Sequence, residues 1–97
     1  MTIPIRIDNS LVGLDNNAQI EALLIDHLDS FSQGIDSIRV KCHVSSLALT
    51  QLKTPQCELF VAIPGQRVVY SQATDPQLMK AVERAAGSIQ RLLEQKR

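Results

Sequence analysis

The last third of the chain limits its possible folds more than any other part. Ile63-Pro64-Gly65-Gln66-Arg67-Val68-Val69 leads into Asp75-Pro76-Gln77-Leu78 and then a long helical pattern. Pro64-Gly65 reads as a turn between two antiparallel strands. Asp75 can accept backbone N–H bonds as an N-cap, and Pro76 suits a first helical position, where its missing donor is not needed. From there Leu78, Val82, Ala85, Ala86, Ile89, Leu92 and Leu93 recur at helical spacing, with Lys80, Arg84, Ser88, Arg91 and Gln95 on the opposite side. One segment thus supplies a hairpin and a helix that can pack along one side and bind along the other.

The segments upstream read as partners for that unit. Ile3, Ile5 and Ile7 alternate with Pro4 and Arg6, the period of a strand with one buried face, and Pro4 places it at a sheet edge or at its own start. Asn16 followed by Gln19 resembles a capping box. Ile20, Leu23, Leu24, Leu28 and Phe31 then form one helical face ending before Gly34, read as a C-cap. Ile38, Val40, Cys42 and Val44 alternate with Arg39, Lys41 and His43; Cys57, Leu59, Val61 and Ile63 alternate with Glu58, Phe60 and Ala62. Val69, Ser71 and Ala73 are assigned inward beneath the last helix and Val68, Tyr70 and Gln72 outward, a parity that one bulge would invert. Leu47, Leu49 and Leu52, in the segment 46–55, either extend the strand pair or form a contact surface.

A helix between the first two strands supplies the crossover that a parallel pair needs, whereas the Pro-Gly turn makes an antiparallel hairpin. The expected architecture is an α+β two-layer sandwich of order β-α-β-β-β-α. It has a mixed four-stranded sheet and both helices, 17–33 and 76–95, on one face. The 97 residues, 44% of them hydrophobic, suit a single domain, 1–97, whose core needs neither metal nor disulfide. No stretch resembles a secretory leader or approaches the length of a membrane span, so a soluble cytoplasmic protein without a membrane partner is expected. Cys42 and Cys57 are expected to be buried, reduced thiols.

A formal charge of zero conceals an uneven distribution. Residues 1–38 carry Arg6 against six acids (Asp8, Asp15, Glu21, Asp26, Asp29 and Asp36), a balance of −5, while residues 39–97 carry nine bases against Glu58, Asp75, Glu83 and Glu94, a balance of +5. Such a dipolar chain can turn its positive part toward phosphates, although a mixed solvated surface explains the same numbers. Nothing in the sequence points to an enzyme. His27 and His43 are the only histidines, no Ser or Cys lies in a nucleophile motif, and the four glycines are scattered singly rather than gathered in a phosphate loop. Cys42 and His43 are neighbours on a strand and point to opposite faces, so they cannot share a metal ion. Neither a catalytic residue, a cofactor, a metal nor a small-molecule substrate is assigned.

The order of elements and the C-terminal half resemble the ribosome hibernation-promoting factors, also called ribosome-associated translation inhibitors, in a short and diverged form. The resemblance is carried by Leu59-Phe60-Val61-Ala62-Ile63, the Pro64-Gly65 turn, the small inward residues of the next strand, the helix start at Asp75, and Ala81-Val82-Glu83 leading to Ile89-Gln90-Arg91-Leu92. It covers the whole chain in topology and residues 57–97 in sequence detail. It implies a protein without chemistry that binds the small ribosomal subunit and ribosomal RNA, blocks the messenger and transfer RNA path, and acts when growth slows. Lys80, Arg84 and Arg91, extended by Lys96 and Arg97 and joined by Arg39 and Lys41 on the second strand, are then the candidate RNA contacts. Arg91 matches a basic residue of the family, whereas Ser88 stands where the family has Lys. The first helix, Lys-rich in typical members, here offers His27 amid Glu21, Asp26 and Asp29. The chain ends after the last helix, so the extra domain with which long members pair ribosomes is not expected. The alternative is a diverged relative that keeps the fold and binds a protein through the acidic first helix or the leucines of 46–55.

Overall fold

The computed structural model describes residues 3–10, 17–45 and 54–95. In chain order these form β1 (Ile5–Asn9), α1 (Asn17–Leu28), a 3-10 helix (Asp29–Gly34), β2 (Ser37–Ser45), β3 (Thr54–Ala62), β4 (Val69–Thr74) and α2 (Leu78–Gln95). The strands lie side by side in the order β1-β2-β3-β4, with β1 parallel to β2 and the other neighbours antiparallel. This is the expected mixed sheet, and both helices pack on it and on each other. β1 occupies an edge, and the Pro4 carbonyl just before it accepts the Ile38 N–H at 2.9 Å. Among the described residues no helix is long and apolar enough to cross a membrane.

Period-two alternation decides which side of the sheet the helices cover. Ile38, Val40 and Cys42 from β2, Cys57, Leu59 and Val61 from β3, and Val69 and Ser71 from β4 are buried, and they meet Ile20, Leu24 and Leu28 of α1 and Leu78, Ala81, Val82, Ala85, Ala86, Ile89 and Leu93 of α2. Each large aliphatic side chain withdrawn in this way contributes about 1.5–3 kcal/mol before conformational entropy is counted. The alanines on α2 let the helix sit close over β4. There Ser71, a buried polar residue of the core, donates its hydroxyl to the Ala85 carbonyl at 2.8 Å. Inward Ser71 and outward Tyr70 and Gln72 match the expected parity of this strand. Leu92 lies at the rim of the stripe rather than in it, 37% exposed.

Cys42 and Cys57 are directly opposed across the β2/β3 ladder, buried and unbridged. The hydrogen bond to Cys42, reinforced by burial, pushes the Cys57 thiol far above its ordinary range. Pro55 in the central strand β3 is tolerated because its missing donor falls past the end of the β3/β4 ladder, which starts at Gln56–Thr74; its carbonyl still accepts the Asp75 N–H at 3.2 Å. Ile63 to Gln66 forms the expected turn, closed by Gln66 N–H to the Ile63 carbonyl at 3.0 Å, with Gly65 at φ 71°. Proline followed by a glycine at positive φ is the chemistry of a type II turn.

Three local expectations are corrected. The first helix does not run regularly to residue 33: it tightens into 3-10 geometry at Asp29, and Gly34 belongs to that last turn with no positive φ. Gly34 is therefore not a left-handed C-cap. Asp75 does not cap α2 directly either. Its Oδ1 accepts the Gln77 N–H at 2.9 Å, and the Gln77 carbonyl then receives the first helical bond, from Ala81 at 3.2 Å. Helix α2 consequently opens at Leu78, with Pro76 in the preceding bend. Asn16 and the segment 46–53, including Leu47, Leu49 and Leu52, lie outside the described residues.

Candidate nucleic-acid interface

The proposed cations divide between two opposite faces of the molecule. Lys80, Arg84 and Arg91 are exposed on α2 and, at 100° per residue, fall on one stripe directly opposite Val82 and Ile89 of the core. At 1.5 Å per residue the stripe from Lys80 to Arg91 is about 16 Å long. Arg39 and Lys41 lie on β2 and point away from both helices, so they cannot share a flat surface with the α2 stripe. Lys96 and Arg97 lie outside the described residues.

The two flanks of α2 differ in charge. Glu83, Gln90 and Glu94 fall along one line of the helix, and Gln90 Oε1 meets His27 Nδ1 at 3.0 Å, which puts that line beside α1. The acids Glu83 and Glu94 thus lie on the flank of α2 that is turned toward α1. On the other flank Arg84 leans toward the end of β4, where Nη1 is 3.7 Å from Asp75 Oδ2 and donates to the Thr74 carbonyl at 3.4 Å. Ser88 turns its hydroxyl back to the Arg84 carbonyl at 3.1 Å. Its short side chain adds no charge where the resembled family carries a lysine.

The second face is the outer side of the sheet, which neither helix covers. Strand register aligns Arg6, Arg39, Phe60 and Tyr70 in one row across all four strands. The next row is Asp8, Lys41, Glu58 and Gln72. Phe60 and Tyr70 have ring centroids 5.0 Å apart at 49°, and Lys41 Nζ sits 5.7 Å from the Phe60 centroid. Arg39 Nη2 lies 3.3 Å from Asp8 Oδ2 with both groups about half exposed, and His43 Nε2 lies 2.6 Å from Glu58 Oε1. Tyr70 donates its hydroxyl to Gln72 Oε1 at 3.2 Å, and Gln56 Nε2 donates to the same oxygen at 2.6 Å. Desolvation and the neighbouring Glu58 carboxylate raise the Tyr70 phenol above its ordinary value. The alternation had placed Phe60 and Tyr70 outward, but not beside the arginines: a row is a product of three strand registers, which no local pattern reveals.

Cys42 is buried beneath the helices while His43 is on the outer sheet face, so the two point apart as their adjacency required. Among the described residues no group of three or more His, Cys, Asp or Glu is placed to hold a metal ion.

No family model matches the chain, and no curated protein matches it. Among solved structures it resembles a ribosomal subunit interface protein from Coxiella burnetii, with a TM-score of 0.72 at 18% identity over 97% of each chain. It also resembles the N-terminal domain of Protein Y from Thermus thermophilus, with a TM-score of 0.65 at 22% identity over the whole of both chains. The fold that the sequence resemblance implied is therefore the fold of this chain, shared with a ribosomal subunit interface protein and with the N-terminal domain of Protein Y.

Proposed function

We propose that the protein is a non-enzymatic, ribosome-associated factor that binds the small ribosomal subunit and inhibits translation or protects idle ribosomes under stress. The observation that supports this reading is the match in fold, over 97% of each chain, to a ribosomal subunit interface protein. The α2 stripe supplies the physical means: three exposed cations on one helix face contact phosphates and the shape of folded RNA rather than a base sequence. Lys80 and Arg91 are presented directly, and Arg84 joins them by leaving Asp75, an exposed pair worth about 0–1 kcal/mol.

The acidic outer side of α1 favours a second reading, in which a relative of the same fold binds a basic protein surface instead. Co-sedimentation of the purified protein with isolated small and large subunits decides between them. Saturable pelleting with small subunits that weakens steeply as salt rises supports the ribosomal reading. No pelleting with either subunit at low salt rejects it and leaves the protein-binding module.

A further inference from the structure

We propose that the uncovered face of the sheet is a binding site for an unpaired nucleotide strand, with successive bases stacked on Phe60 and Tyr70 and the phosphates drawn to Arg39, Lys41 and Arg6. The site is separate from the α2 stripe. It deepens the ribosomal reading by naming the form of RNA this face takes, and rests on it only for the choice of RNA as the polymer.

Strand pairing makes the row Arg6–Arg39–Phe60–Tyr70 half guanidinium and half aromatic. Three inter-strand steps of about 4.8 Å give it a width of about 14 Å, enough for a sugar-phosphate backbone on one half and bases on the other. The rings belong to the two strands farthest from β1, and Tyr70 is 43% exposed. Beside them Ser37, Arg39, Lys41, Phe60, Ala62 and Val68 line a hollow of about 290 Å³. Its floor is apolar and two of its lining residues are cations, which suits a flat, aromatic, anion-bearing group. A protein helix would need a longer apolar groove than one hollow.

The existing contacts on this face can be exchanged. Lys41 lies over the π face of Phe60, and a base can stack there once the flexible ammonium swings aside to meet a phosphate. The Arg39–Asp8 pair is exposed and weak. Of the two carboxylates on the face among the described residues, Asp8 is engaged by Arg39 and Glu58 by His43, which tempers their repulsion of phosphate. Base-on-ring stacking tolerates any sequence, because every base has a π face.

The test is fluorescence anisotropy of a labelled, unstructured oligouridylate with the parent, Phe60→Leu and Tyr70→Thr. Thr favours strand structure, Leu is not among the residues depleted in strands, and both replacements occupy outer-face positions. Each is expected to weaken binding about ten-fold at an unchanged urea midpoint. Should either variant lose the native midpoint, Arg6→Gln carries the test, with an expected fall of about 0.7 in the log–log salt slope. Parent binding weaker than about 0.1 mM, the upper end of non-specific association, overturns the proposal, as does equal binding by parent and ring variants. Self-association of the parent that the ring variants abolish, without oligouridylate binding, also overturns it and gives the face to a second copy. Pelleting with small subunits is scored separately: if it persists while oligouridylate fails to bind, this proposal falls and the ribosomal reading stands. Oligouridylate binding without pelleting gives the opposite result.

Discussion

Replacing Lys80, Arg84 and Arg91 together by Gln tests whether the α2 stripe meets phosphate. Gln has nearly the helix propensity of Lys and Arg, and none of the three side chains enters the core, so the fold is expected to survive. The replacement removes the interaction of Arg84 with Asp75 and the Thr74 carbonyl, an exposed arrangement worth at most about 1 kcal/mol. The effect on binding follows from counterion release, which contributes about 0.9 to the log–log salt slope per duplex phosphate and about 0.7 per single-strand phosphate. Three phosphate contacts predict a slope smaller by about 2.1–2.7, and by about 1.4–1.8 if Arg84 stays with Asp75. Arg84→Gln alone separates these cases, flattening the slope by about 0.7–0.9 or leaving it unchanged. The assay is pelleting with purified small subunits from roughly 50 to 200 mM monovalent salt, over which the triple variant should lose roughly 20- to 40-fold less affinity than the parent if all three residues meet phosphate. A triple variant with the parent's affinity and slope would refute the argument.

Other consequences can be measured directly. Asp26→Asn with Asp29→Asn should leave small-subunit binding unchanged or tighten it at low salt, because it removes negative charge beside the RNA-facing layer; weaker pelleting would point to α1 as a protein-binding surface. Gly65→Ala should cost about 1–2 kcal/mol in urea unfolding, since its φ of 71° strains an L side chain although nothing lies within 4 Å of the added Cβ. Gly34→Ala, equally unobstructed and without a positive φ, should be neutral or stabilising by about 0.4–1 kcal/mol; the reverse order for the two glycines would contradict the turn geometry. Cys42 and Cys57 should react with a bulky thiol reagent only as fast as the protein opens, and prompt labelling of both in native buffer would disprove their burial.

Much of this fold is local information. Alternation in Ile38–Val44 and Cys57–Ile63 depends only on the two-residue period of a strand, and the α2 stripe only on 3.6 residues per turn, so both are legible in one dimension. Pro64-Gly65 is equally local, because positive φ is a property of glycine itself. From these follow the element order, the two-layer packing and the face of α2 that carries Lys80, Arg84 and Arg91. Tertiary structure decided what depends on register and on neighbouring elements. Both cysteines were assigned inward, but only the β2/β3 pairing opposed them; Arg6, Arg39, Phe60 and Tyr70 were outward residues on four strands until three registers made them one row. Asp75 had the composition of a cap, yet it bonds to Gln77 and α2 begins at Leu78, because the bend at Pro76 displaces the first helical turn. The division of the cations between opposite faces has the same origin: a helix and a strand each know their own sides, and only packing the helices onto one face of the sheet leaves the other open.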